Sequence, residues 1–199
     1  PRQSGHGQVV DAAITDGVIN LMAHFLAQSQ RGSFQERRES NMLDGGVPWY
    51  GVYATADGRY MSVGAIEPQF FSVFVDRLGL DEGCKSAQFE RERWLALRQA
   101  IADAFLSRTR AQWEQVFADS DACVAPVLAL SEAMSHRHNL DRANFVSVDG
   151  VVHPAAAPRF SRTPSRPASA PPSQVTDIDQ VRRRWSGEPA GFEGSGNGR

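Results

Sequence analysis

Long apolar runs are the first thing this sequence lacks. None approaches the roughly twenty residues that a membrane-spanning helix needs. No basic stretch leads into an apolar core and a small-residue cleavage site, so no signal peptide is expected and a cytoplasmic location is. Cysteine is scarce: Cys84 and Cys123 are the only two, and neither sits in a CxxC pair, which excludes a disulfide framework. Lys85 is the only lysine among basic residues that are otherwise all arginine. We read that bias as a mark of a GC-rich genome rather than of chemistry. Neither sign of charge is in large excess. The net charge is −2 and the pI about 6.2, so the chain as a whole carries no basic footprint for nucleic acid. No methionine precedes Pro1, and the apolar pattern begins almost at once, at Val9. The expectation is a protein entered midway, with an upstream half.

What remains suits a globular fold. The chain has 199 residues, 41% of them hydrophobic and 22% charged, enough for one domain or a small domain with appendages and too apolar for wholesale disorder. Residues 8–30 are predicted to form one long helix. Val9, Val10, Ala13, Ile14, Ile19, Leu21, Met22, Phe25 and Leu26 make it apolar around most of its circumference, the mark of burial on more than one side. Two short runs, 50–55 and 60–64, flank Ala56-Asp57-Gly58-Arg59, where Asp-Gly supplies the positive φ angles of a tight hairpin. Pro68 opens a helix bearing Phe70, Phe71, Phe74, Val75 and Leu78, and Gly79 caps it. A further helix is expected over 90–106. Another follows the Thr109-to-Gln112 capping box. Residues 123–128 read as a strand, 130–138 as a short helix, and 144–148 with 151–153 as a second hairpin about Asp149-Gly150. Residues 154–173 read as extended, 177–185 as a last short helix, and 186–199 as a flexible tail. The predicted class is α+β: a small domain over 41–153 of short antiparallel hairpins and packed helices. Residues 1–40 would link it to a large domain upstream, and 154–185 would return there.

Few residues are candidates for chemistry. Glu67 lies at a strand-to-helix junction after Gly64, Ala65 and Ile66, where small residues let a ligand approach the backbone and the helix end favours a carboxylate. A plain helix cap would look the same at this level. The stretch from Asn41 to Gly46 reads either as an ordinary loop or as a close-approach loop whose Met42 and Leu43 line an apolar pocket. The five histidines form no metal pattern: His136 and His138 are two apart, His24 falls within an apolar helix as a core histidine would, and His153 ends a strand. No metal is therefore expected. Arg182-Arg183-Arg184 reads as a solvated face. No nucleotide-phosphate loop and no GxSxG elbow occurs.

The segment NMLDGGVPWYGVYATADGRYMSVGAIEPQF, residues 41–70, resembles the family III CoA-transferase and racemase superfamily, and within it the acyl-CoA racemases that epimerise 2-methylacyl thioesters. GHGQVVDAAITDGV at 5–18, FADSDACVAPVLAL at 117–130 and PAAAPRFSRTP at 154–164 support the likeness. The resemblance implies interlocked homodimers, with an active site between the large domain of one subunit and the small domain of the other. It implies that a large-domain histidine and aspartate move the α-proton, while a small-domain glutamate, matched by Glu67, hydrogen-bonds the histidine. Leu43, Tyr50 and Ile66 would line the acyl pocket. No cofactor would be needed beyond the coenzyme A carried by the substrate. The histidine and aspartate would precede Pro1, and His24 does not replace them because it follows the GQVVDAA stretch, so the chain alone is expected to be inactive. Two alternatives stay open: a family III CoA transferase, although such enzymes tend to carry a glycine-rich loop where this chain has only Gly64, and a non-enzymatic small domain that pairs with a full-length partner.

Overall fold

The computed structural model describes residues 5, 7–165, 169 and 177–186. Part of the predicted extended segment and nearly all of the predicted tail lie outside the described residues. The described chain forms two compact units, residues 1–127 and 128–199.

In the first unit, β1 (Tyr50–Ala54) pairs antiparallel with β2 (Tyr60–Gly64), and β2 with β3 (Val124–Pro126). Side chains alternate as a half-buried strand requires: Met61 and Val63 point into the core, and so does Tyr53, while its neighbour Val52 is exposed. Three helices pack against the sheet. The α3 helix (Pro68–Leu78) buries Phe71, Phe74, Val75 and Leu78 at helical spacing. The α4 helix (Trp94–Phe105) buries Leu97, Ile101 and Phe105, and α5 (Arg110–Phe117) buries Trp113 and Phe117. The core is a stack of rings. Phe105 faces Tyr53 at 5.5 Å and meets Trp113 edge-on at 5.3 Å, while Phe74 lies 6.2 Å from Phe117. The indole of Trp113 donates to Phe105 O at 2.8 Å, so its one polar atom is satisfied within the core.

The helix ends follow their sequence signals. Pro68 sits at the first turn of α3, and Gly79 closes it at φ 78°. The N–H groups of Gly79 and Leu80 return to Asp76 O and Val75 O. Thr109 and Gln112 form the expected reciprocal capping box. A 3-10 turn, Arg91–Arg93, precedes α4, which takes the place of the first residues of the helix expected over 90–106.

The first hairpin is closed differently from the sequence reading. Only Gly58 has a positive φ, 70°, so the turn is not the two-residue form that Asp-Gly predicts. Thr55 N–H donates to Arg59 O at 2.9 Å and Gly58 N–H to Thr55 O at 3.0 Å, leaving a three-residue loop. The Asp57 carboxylate accounts for the difference: it accepts from Thr55 Oγ1 at 2.6 Å and from Arg110 N at 3.1 Å, tying the turn to α5.

The N-terminal helix is corrected in two respects. It is two helices, α1 (Ile14–Leu21) and α2 (Ala23–Gln30), and residues 8–13 are not helical. Neither helix buries a residue fully: Ile14 is 87% and Leu21 83% exposed, against the all-round burial that the apolar pattern predicts. That pattern records side chains suited to a covered face, and among the described residues nothing buries them.

The second unit holds α6 (Leu130–Ser135) and α7 (Arg137–Asp141), a pair broken at His136 where one short helix was expected. Its strands β4 (Phe145–Val148) and β5 (Val151–Pro154) form the second hairpin. Here Asp149 and Gly150 do both take positive φ, 50° and 79°. The last helix, α8 (Ile178–Ser186), carries Arg182 and Arg183 exposed. The fold is thus α+β, with short antiparallel hairpins among helices.

Candidate active site

Glu67 stands where β2 ends and α3 begins. Its backbone is extended, φ −75° and ψ 140°, and it occupies the position before the helix, yet its side chain makes no capping bond. The carboxylate is exposed. A simple cap would spend the carboxylate on the N–H groups of α3. Here that group faces outward instead, in the positive field of the helix end.

The backbone leading to it is tightly held. Gly64 N–H donates to Cys123 O at 2.9 Å, Ala65 N–H to Trp49 O at 3.1 Å, and Phe71 N–H to Glu67 O at 2.9 Å. Tyr50 is the register partner of Gly64. A Cβ built on Gly64 would stand 3.9 Å from the Tyr50 ring and 3.9 Å from Cys123 O. Ile66 is half-buried and follows directly. Tyr50, Ile66 and Glu67 therefore gather at one end of the sheet.

Two further residues reach this corner that the sequence reading did not single out. Cys123 enters β3 at φ 53° beside Gly64. Partial burial, and then the carboxylates of Glu67 and Asp121, push its thiol above the usual range, so it stays protonated at neutral pH. Gln88 reaches from a separate turn to the Ile66 carbonyl. Cys123 lies within the 117–130 stretch that carries the family resemblance, the one sequence signal near it. Gln88 has no local signal.

Leu43 lies elsewhere. The loop that carries it is a 3-10 turn, Met42–Asp44, organised by the Asp44 carboxylate, which accepts from Asn41 N and Asn41 Nδ2, both at 2.8 Å, and from Gly46 N at 3.1 Å. Burial opposes and these hydrogen bonds favour the charged form, leaving the carboxyl below its ordinary range. Arg98 donates to Gly45 O at 2.7 Å from α4. Met42 and Leu43 line an apolar cavity of about 300 Å³ with Met22, Phe25 and Phe34, and none of Tyr50, Ile66 and Glu67 lines it. His24 also lines this cavity. It is exposed and hydrogen-bonded to Gln28 at 3.0 Å, which corrects its reading as a core histidine. It is the one described histidine in the first unit, and Glu67 is not its partner.

This arrangement can orient an imidazole or another cation brought to the exposed carboxylate, beside an aromatic and aliphatic wall. Among the described residues no group of three or more His, Cys, Asp or Glu could hold a metal ion, and no helix is long and apolar enough to cross a membrane.

Fold and sequence together define the class. The model of CoA-transferase family III matches residues 1–177, and the chain belongs to that family. Within it, the chain is 41% identical to the α-methylacyl-CoA racemase of Mus musculus over 186 residues, 92% of this chain and 49% of the relative. It is 42% identical to the human racemase over 168 residues, 83% of this chain and 44% of the relative. The kinship is thus with an isomerase-like enzyme. Succinyl-CoA–D-citramalate CoA-transferase of Chloroflexus aurantiacus is more distant, 26% identical over 173 residues, 82% of this chain and 43% of the relative. Crystalline Rv3272 from M. tuberculosis shares the fold at a TM-score of 0.61 and 15% identity, over 85% of this chain and 45% of that one. The chain spans about half the length of the curated relatives it matches.

Proposed function

We propose that this chain is the part of an acyl-CoA racemase that presents Glu67 to a proton-transferring imidazole. The reaction removes the proton α to the thioester carbonyl of a 2-methylacyl-CoA and returns it on either face. Glu67 stabilises the imidazolium form and fixes its orientation. The imidazole and an aspartate come from another part of the assembly, so the chain alone is inactive. Tyr50 and Ile66 form the wall beside the acid, and Leu43, on its own loop, contacts the acyl chain. Coenzyme A enters with the substrate and no other cofactor takes part.

The observation that carries this reading is the exposed Glu67 carboxylate, at a helix start it does not cap, beside a turn too small in side chains to block a ligand. The outward apolar faces of α1 and α2 support the same picture, since exposed patches of that kind mark surfaces that another part of an assembly covers. In the interlocked homodimer, residues 1–40 link the small domain of 41–153 to the large domain, and 154–185 return there.

The test is incorporation of deuterium at the α-carbon of a 2-methylacyl-CoA by the intact protein in deuterated water. Exchange without any acceptor acid, reduced in Glu67→Gln, is the expected result. A strict need for an acceptor makes the protein a transferase. Absence of exchange and of transfer leaves only a binding role.

A further inference from the structure

Gln88 lies in the 3-10 turn Ser86–Phe89 and is 4% exposed. An amide buried that deeply is tolerated only when its polar atoms are paired. Its Nε2 donates to Ile66 O at 2.8 Å, across 22 residues of sequence. That carbonyl belongs to the peptide group joining Ile66 to Glu67. The peptide group is planar, so fixing the direction of the carbonyl fixes the direction in which Glu67 leaves the turn.

Gln88 is itself held. Trp94 Nε1 donates to Gln88 O at 3.2 Å, and the Trp94 ring meets Trp49 edge-on at 5.2 Å. Trp49 O in turn accepts from Ala65 N at 3.1 Å. A closed ring of contacts results, running Trp49, Ala65, Ile66, Gln88, Trp94 and back to Trp49. On the helix side, Phe71 N–H holds Glu67 O at 2.9 Å. Of these anchors, the Gln88 amide is the one side-chain group that bonds the peptide linking Ile66 to Glu67.

We infer that Gln88 is a positioning residue for the proton-transfer site, its buried amide setting the peptide plane from which the Glu67 carboxylate is presented. The inference rests on the proposed role of Glu67. A reacting group misplaced by about 1 Å loses rate by one to two orders of magnitude, whereas a bond that only fills a buried carbonyl changes stability and leaves turnover alone.

The experiment compares the intact protein with Gln88→Met, Glu67→Gln and the double variant. Methionine keeps the length and removes the donor. The expected result is a fall in kcat for α-proton exchange on the order of tenfold, with KM changed less than about twofold. In the Glu67→Gln background the same substitution should change kcat no further, because the two residues act as one unit. Hydrogen exchange of the peptide covering residues 64–70 should quicken while that of β1 stays unchanged. An equal loss in both backgrounds, no loss, or loosening spread through the whole sheet overturns the inference. If the unsubstituted protein exchanges no α-proton, the racemase reading fails, and local loosening at 64–70 alone then decides for or against Gln88. Should Gln88→Met not fold, Gln88→Asn, which keeps the amide one methylene short, is read by the same measurements.

Discussion

Gly46→Ala tests the local physics of the Leu43 loop most severely. A Cβ at this position would stand 2.5 Å from both Asn41 N and Asn41 O, and 2.7 Å from Ser40 C. All three are backbone atoms, so no side chain can swing aside. Reaching an ordinary 3.4 Å from a starting 2.5 Å requires a shift of 0.9 Å. That displacement exceeds the tolerance of the Gly46 N–H bond to Asn41 O, now 2.9 Å. Overpacking of this kind costs about 1–3 kcal/mol and the lost backbone bond about 1 more, together about 2–4 kcal/mol. Two neighbouring glycines serve as controls. Gly45 has room for a Cβ but a φ of 91°, so Gly45→Ala should cost only the left-handed strain, about 1–2 kcal/mol. Gly51 has nothing within 4 Å, and Gly51→Ala should stay within about 0.5 kcal/mol of wild type. Urea unfolding followed by tryptophan fluorescence reads all three. A Gly46→Ala protein as stable as Gly51→Ala, or more stable than Gly45→Ala, refutes the clash argument.

Other outcomes follow from the same geometry. Glu67→Gln should keep the fold and lower α-proton exchange by about 10²-fold, and unchanged turnover removes the residue from the mechanism. The same substitution takes away one of the charges that hold the Cys123 thiol up, so iodoacetamide should label Cys123 faster at fixed pH; an unchanged rate places the carboxylate out of reach. Phe105→Ala should cost about 3–5 kcal/mol in the same urea assay, since Phe105 is fully buried against Tyr53, Phe74 and Trp113, and a loss below 1 kcal/mol contradicts that packing. The Thr55 hydroxyl, against some burial and with help from the Arg110 N–H, holds the Asp57 carboxyl below its ordinary 3.8. A carboxyl depressed in the folded state stabilises above its unfolded value, and that contribution is lost as pH falls through the lower folded value. The stability gap between wild type and Asp57→Asn should therefore be full above 3.8 and close in more acidic solution. A gap that persists unchanged to the acid limit refutes this assignment.

The hairpins, α3, the capping box of α5 and the α+β class were legible because each rests on local chemistry: a turn residue, a proline at a helix start, a reciprocal cap, an alternation of buried side chains. Glu67 was legible for the same reason, as an acid at a strand-to-helix junction. The form of the first turn was not, because Asp57 answers to Thr55 and to Arg110, and Arg110 lies 53 residues away. Gln88 was invisible for the same cause: nothing near it in sequence shows that its amide meets Ile66 O. For Leu43 the residues alone left an ordinary loop and a pocket-lining loop both open, and joining it with Tyr50 and Ile66 in one wall needed the family resemblance; the cavity that Leu43 lines contains neither.

The N-terminal segment shows a different limit. Apolar spacing reports which side chains have been kept from water in the working assembly, and one chain need not supply the cover. Ile14, Ile19, Leu21 and Leu26 carry the pattern of a buried helix, yet each is exposed here. The same holds for the site, where Glu67 is an exposed acid that makes no capping bond, and His24, the one described histidine of that unit, is bonded to Gln28. An exposed apolar face and an exposed acid on the same unit have, under the proposed racemase function, one economical physical explanation. On the proposed reading, both are halves of contacts whose other halves lie on a different part of the assembly. Joining the chain to such a part should bury the α1 and α2 faces and place an imidazole at Glu67 in a single step. Slowed hydrogen exchange over residues 14–30 should then rise in parallel with deuterium incorporation at the α-carbon, and activity gained without that protection would separate the two and refute the common origin.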